Sequence, residues 1–165
     1  MAKYVCALIA VSDIARSRAF YEGALGQKVD MDFGPNVSFQ GGFAIHERTH
    51  FESLLGDGNE SRAEAAVVRS SWGELYFEED DIETIEGSLR TAGVSFVHTI
   101  REQPWAQRVF RCMDPDGHVV EVGESLEATA RRLVGGGLSA ERAAERMGMP
   151  VPFIERALAN RDRSA

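Results

Sequence analysis

CALIAVSDIARSRAFYEGALG, residues 6–26, has an echo later in the chain in ELYFEEDDIETIEGSLRTAG, residues 74–93. Each copy runs from an apolar, extended stretch into Asp-Ile, then into a helical spacing of apolar residues that Gly26 or Gly93 closes. An Asp before such a run caps a helix through its side chain, and a closing Gly supplies the left-handed residue that ends it. Counting back seven residues from the Asp of each Asp-Ile lands on Cys6 in the first copy and Glu74 in the second. Each copy is followed by short strand-like runs, and the last carries a polar residue at an apolar position: His46 in GGFAIHER and Glu121 in DPDGHVVEVGE. Repetition on this scale means that one supersecondary unit occurs twice.

Working outward, Tyr4–Val11 reads as a buried strand, followed by a helix from Asp13 to Leu25 and strands at Lys28–Phe33, Val37–Phe39 and Phe43–Glu47. The second copy reads as a strand over Glu74–Glu78 and a helix from Asp81 to Thr91. Its strands at Ser95–Thr99, Gln107–Met113 and His118–Val122 are punctuated by the tight turn Asp114-Pro115-Asp116-Gly117. Residues 48–70 break the repeat and read as an insertion or lid. The expected class is therefore α+β: tandem βαβββ modules at about 3–47 and 73–123, forming one domain over 1–124. A helical C-terminal extension is expected over 125–165.

Composition narrows the classes of function. The 165 residues are 44% hydrophobic and carry a net charge of −8, which disfavours a broad nucleic-acid or anionic-membrane surface. Two distant cysteines fit free thiols in a reducing compartment, and the opening MAKYVCALIAVSD reads as a strand rather than a membrane span or secretory segment. A cytoplasmic protein with no nucleic-acid or membrane partner is expected. The charge is uneven: from Ser125 onward seven Arg face five acids, against 11 Lys+Arg and 21 acids before it. Within that tail, GLSAERAAERMGMPVPFIERAL spaces its apolar residues like a short helix-turn-helix. The tail lacks the basic face that phosphate contacts require, so packing on the body or across a dimer is expected of it instead.

The segments VSDIARSRAFYEGALG, EDDIETIEGSLRTAGVSFV and DPDGHVVEVGE together resemble the vicinal oxygen chelate superfamily. That superfamily includes glyoxalase I, methylmalonyl-CoA epimerase, extradiol dioxygenases and the bleomycin and fosfomycin resistance proteins. The resemblance covers about residues 3–124. It implies metal ligands from the first and last strands of each module, which match Cys6, His46, Glu74 and Glu121 here. Oxygen and nitrogen donors of this kind suit a divalent ion such as Zn, Ni, Mn or Fe.

The order Cys, His, Glu, Glu departs from the His or Gln, Glu, His, Glu usual in glyoxalase I. The dioxygenases and fosfomycin-modifying members place His where Glu74 stands. Cys6 can equally be a small buried apolar residue, which leaves His46, Glu74 and Glu121 as a one-histidine, two-carboxylate set. His46 can be structural, and Glu74 can be an exposed strand residue.

The resemblance implies a glyoxalase I-like, metal-dependent lyase or isomerase acting on a small carbonyl or thiol adduct. Glu121 or Glu74 would serve as general base in that chemistry, with a homodimer as the assembly. Arg108, Arg111 and Lys28 are candidate anchors for a glutathione adduct, or plain surface charges. Trp72, Tyr76, Trp105 and Phe110 could wall a pocket or fill the core. Cys112 reads as core and His118 as a surface residue. The competing expectation is a sequestering protein of the bleomycin-resistance type, which holds a small molecule without catalysis.

Overall fold

The computed structural model describes residues 4–54 and 73–160. The chain forms two compact units. The first gathers the described residues up to Gly73 together with Met113–Val119; the second gathers Glu74–Cys112 and the chain from Val120 onward.

The expected repeat is present. In the first unit β1 (Ala7–Val11), β2 (Val29–Asp32), β3 (Asn36–Phe39) and β4 (Phe43–Glu47) form a sheet in the order β1-β4-β3-β2. In the second, β5 (Glu74–Glu79), β6 (Phe96–Glu102), β7 (Arg108–Met113) and β8 (Val119–Glu124) form a sheet in the corresponding order β5-β8-β7-β6. In the first sheet β1 runs parallel to β4 with Ala7 opposite Phe43 and Ala10 opposite His46, while β3 runs antiparallel to both β2 and β4.

The helices start where the sequence places them. Helix α1 (Ile14–Arg18) is capped by Asp13, whose side chain accepts from the Arg16 amide at 3.0 Å. It continues as a π-helical turn over Ala19–Ala24, which the apolar spacing alone does not distinguish from α-helix. Helix α2 (Arg48–Leu54) occupies the start of the expected insertion, the rest of which, with Trp72, lies outside the described residues. Helix α3 (Ile82–Thr91) is capped by Asp81 in the same way as α1.

Aromatic packing builds the first unit's core. Tyr21 is fully buried, with its ring 5.0 Å from Phe20 and 5.2 Å from Phe43, and Phe43 stacks on Phe39 at 4.6 Å. A buried phenol needs a partner, and the Tyr21 hydroxyl donates to Asp114 Oδ2 at 2.9 Å. Asp114 also accepts from the Asp116 and His118 amides and pairs with His118 Nδ1 at 2.8 Å. His118 is thus tied into the DPDG turn rather than standing as a free surface residue. Asp116 accepts from the Ser12 amide and lies near Arg16 and Arg48. In the second unit Ile82 and Leu89 of α3 are buried, as are Val109, Phe110, Cys112, Val120 and Val122 of the sheet.

Beyond Ser125 come α4 (Leu126–Gly135), α5 (Ala140–Met147) and α6 (Val151–Ala159). Ser125 caps α4 and Ser139 caps α5 through side-chain acceptors. Gly148 takes the left-handed conformation (φ 65°) that lets α5 stop and α6 turn back after Pro150. Ala130, Leu133, Ala143, Ala144, Met147, Ile154 and Ala157 form their common core, which reaches Ala106 of the β6–β7 connection. Glu124, at 1% exposure, anchors α4: Arg108 donates to it at 2.7 Å, Thr129 at 3.0 Å, and Arg132 through both Nε and Nη2. Burial pushes the Glu124 carboxyl upward, but the hydrogen bonds from Arg132 and Arg108 outweigh it and leave the carboxyl below its usual range. No described helix is long and apolar enough to cross a membrane.

Two outcomes follow from this packing. Ile154→Ala removes a fully buried side chain from the three-helix core and should cost about 2–5 kcal/mol in urea unfolding. The His118–Asp114 pair should make stability pH-dependent. Its hydrogen bond to Asp114, against the opposing effect of burial, holds His118 above the ordinary value of 6.5. Such a group contributes fully below pH 6.5, and its contribution fades as pH rises through the folded-state value. Asp114 works at the acid end: burial raises it, but the bonds from His118 and Tyr21 lower it overall, so its contribution fades as pH falls. Unfolding midpoints measured across neutral to alkaline pH should decline for the native chain and flatten for His118→Gln.

Candidate functional site

On the second unit, one residue from each of four adjacent strands meets in a row. Glu74 lies on β5, Glu121 on β8, Arg111 on β7 and His98 on β6, in the spatial order of the sheet. The Arg111 guanidinium grips Glu74 with two donors, Nε to Oε2 at 2.7 Å and Nη2 to Oε1 at 3.2 Å. Nη2 also meets Glu121 Oε2 as an ion pair, and Nη1 lies 3.3 Å from His98 Nε2. His98 Nδ1 lies 2.9 Å from the Thr99 carbonyl oxygen, so Nδ1 carries the proton and Nε2 accepts from Arg111. Glu121 is only 6% exposed, and its Oε2 has no partner in hydrogen-bonding geometry, so the ion pair is what compensates its burial.

Tyr76 and Gly123 lie two residues beyond Glu74 and Glu121, on the same sides of their strands. Gln107 Nε2 donates to the Tyr76 hydroxyl at 2.6 Å and to the Glu124 carbonyl at 2.8 Å, while its Oε1 accepts from Trp105 Nε1 at 2.9 Å. The Tyr76 hydroxyl donates in turn to Glu78 at 2.8 Å. Burial, then that bond to a carboxylate, push Tyr76 up to about 12, so it remains a neutral phenol at physiological pH. Gly123 makes room for this network, since a Cβ there would lie 2.9 Å from Gln107 Nε2 and 3.0 Å from the Tyr76 ring.

In the first unit His46 is buried, with Asn36 Nδ2 3.1 Å from its Nδ1. An amide nitrogen only donates, so His46 Nδ1 accepts and Nε2 carries the proton that bonds His50 Nδ1 at 2.6 Å. Burial, then the neighbouring His50, hold His46 below its usual value and keep it neutral. Further along the sheet is a cavity of about 390 Å³, lined by Val5, Cys6, Leu8, Met31, Phe33 and Phe43 among others. Cys6 precedes Ala7, whose neighbour is Phe43, so about four residues, or ~13 Å of strand, separate it from His46. Cys6 lines this cavity, while His46 joins a histidine pair and meets the cavity only through Asn36.

These arrangements do not fit a divalent ion. Both ring nitrogens of His46 are committed within its hydrogen-bond chain, Nδ1 as acceptor and Nε2 as donor, and both carboxylates are neutralised by a guanidinium. Among the described residues no three His, Cys, Asp or Glu side chains approach closely enough to hold a metal. Two of the three expected anchors for an anionic adduct are also engaged, Arg108 by Glu83 and Glu124 and Arg111 by Glu74 and Glu121, which leaves Lys28.

His98 and His50 escaped the sequence reading. His98 sits in a strand of alternating exposure and His50 in the interrupted segment, and neither has a local pattern that marks it. Only the register that sets His98 opposite Arg111 reveals its role.

Residues 4–127 match the glyoxalase-like domain family, and the chain belongs to that family and so to the vicinal oxygen chelate superfamily. Among solved structures, a protein of unknown function from Agrobacterium tumefaciens str. C58 is 37% identical. That alignment covers 76% of this chain and 96% of that one, with a TM-score of 0.62. A lactoylglutathione lyase from Agrobacterium tumefaciens is 21% identical over 76% of this chain and 95% of its own, at a TM-score of 0.54. A glyoxalase/bleomycin resistance protein/dioxygenase from Nocardioides is 18% identical over 74% and 83%, at 0.51. These last two likenesses speak to the fold alone. No curated protein matches the chain.

Gly123→Ala tests the aromatic–amide network. The added methyl must displace Gln107 or Tyr76, and overpacking of this kind should cost about 1–3 kcal/mol. Urea unfolding followed through tryptophan emission reads the loss, and in a Trp72→Phe background it reads the disturbed environment of Trp105.

Proposed function

We propose that this chain is a small-molecule-binding protein that holds a largely apolar, neutral or cationic ligand without metal-dependent chemistry. The observation that carries this reading is the open cavity of about 390 Å³ on the first sheet, where aliphatic and aromatic side chains predominate. Leu8, Met31 and Phe33 are each at least 40% exposed there, and such a surface gains free energy when an apolar ligand covers it. The net charge of −8 disfavours an anionic ligand at long range.

The glyoxalase I-like reading asks for a metal and for cationic groups to anchor a glutathione adduct. The engagement of Arg108 and Arg111 by internal carboxylates weighs against both requirements. A sequestering role of the bleomycin-resistance type asks only for a shaped, partly apolar receptacle. A homodimer and a cytoplasmic location are part of this reading.

Thermal-shift and fluorescence titrations against a panel of neutral, cationic and anionic aromatic compounds test it. A ligand present at about 100 times its Kd should stabilise the fold by about 2.7 kcal/mol. Leu8→Glu, a change on the exposed cavity wall, should abolish the shift while leaving the free protein folded. Lactoylglutathione formation from methylglyoxal and glutathione, stimulated by added Zn²⁺ or Ni²⁺, would establish the lyase reading instead.

A further inference from the structure

We infer that the Arg111 guanidinium is a built-in cation that stands where a divalent metal would sit among Glu74, Glu121 and His98, and that these donors, held too far apart for a metal while it is present, close on one when it is removed. The inference deepens the metal-free reading above and rests on it, but it concerns the second unit alone.

The donors carry the argument. Three strands aim acceptor atoms at one guanidinium: two carboxylates from β5 and β8, and an imidazole lone pair from β6. One histidine with two carboxylates is a donor set that a Zn²⁺, Ni²⁺, Mn²⁺ or Fe²⁺ ion accepts. His98 is already in the tautomer that ligation requires, because the Thr99 carbonyl takes its Nδ1 proton and leaves Nε2 bare. A backbone carbonyl behind a histidine is the support that metal-bound imidazoles commonly have.

The cation question has two solutions. A carboxylate as buried as Glu121, beside a second carboxylate, requires a positive charge. A metal could supply it, but here β7 supplies it from within the chain. Arginine stays charged at every physiological pH, and its planar fork fits Glu74 with two donors. The group is tethered, so it competes with any free ion as an intramolecular ligand at high effective concentration. An entering metal would have to strip three acceptors from Arg111 and leave the guanidinium beside a second positive charge.

Loss of the guanidinium turns that balance around. Arg111→Met keeps the aliphatic stem but leaves two facing carboxylates and a bare imidazole nitrogen, for which a divalent ion is the natural replacement. Arg111→Lys keeps a positive charge and should leave the site closed to metal.

Isothermal titration of the chelator-treated full chain with Ni²⁺ and Zn²⁺ provides the test. Arg111→Met should bind one ion about tenfold or more tighter than the native chain. The gain should vanish in Arg111→Met/Glu121→Gln, persist in Arg111→Met/His46→Ala and be absent in Arg111→Lys. A native chain that binds as tightly as Arg111→Met overturns the inference, as does a folded Arg111→Met variant with no gain. Should Arg111→Met fail to fold, the native protein still decides. The Arg111 Nε–H resonance should be protected from exchange and unmoved by added Zn²⁺, and a shift or broadening on titration overturns the inference. Failure of the ligand panel with success here would remove the binding reading and leave the Arg111 assignment standing.

Discussion

A carboxylate taken out of water must meet a positive charge or a set of hydrogen-bond donors, and among the described residues four carboxylate side chains are so placed. Asp114 is met by Tyr21, His118 and turn amides; Asp116 by the Ser12 amide near Arg16 and Arg48. Glu121 is met by Arg111, and Glu124 by Arg108, Arg132 and Thr129. Each carboxylate has at least one partner on another element, Tyr21 for Asp114, Ser12 for Asp116, Arg111 for Glu121 and Arg108 for Glu124, so the pairs join parts of the chain that sequence separates. The DPDG turn is pinned to the start of α1 in this way, and α4 is pinned to the end of β8. Removing one partner leaves the other group's desolvation uncompensated, which costs more than a surface ion pair would.

The same constraint decides the chemistry available to the second sheet. Glu74 and Glu121 read as metal ligands while they are considered as carboxylates alone. With the Arg111 guanidinium bonded to both they form a neutralised row, and two of the three cationic anchors expected for an anionic substrate, Arg108 and Arg111, are spent on internal acids. Among the described residues the largely apolar cavity beside Cys6 is open to a ligand, as are the exposed faces of Tyr76 and Trp105. An acidic protein with an apolar receptacle and paired internal charges is suited to holding an uncharged or cationic molecule. The three C-terminal helices add a small core of their own beyond the family's residues 4–127. Their alanine-rich interior serves close helix packing.

The architecture was legible because its signals are local. Asp13 and Asp81 cap helices within three residues, Gly148 sets its own backbone, and Asp-Pro-Asp-Gly folds on itself. The equivalence of the halves followed from counting residues and returned as matching strand orders. The π-helical turn over Ala19–Ala24 was not legible, because a run of six residues is too short for its apolar spacing to be told from that of an α-helix. His46 and Glu121 stood out because a charged or imidazole side chain in an apolar strand contradicts its surroundings, and Glu74 because it lies seven residues before Asp81 as Cys6 does before Asp13.

Their partners were another matter. Nothing near Arg111 in sequence marks it as the partner of Glu74, 37 residues away, and His98 and His50 look like ordinary polar residues. By itself the sequence determined the two modules, their caps and turns, the helical tail and the positions where polarity meets a core. The tertiary structure alone decided which charge faces which, separated Cys6 from His46 and placed a guanidinium among three metal-type donors. Caps and turns depend on neighbours a few residues apart, whereas charge pairing depends on strand register and on side chains brought together from across the sheet.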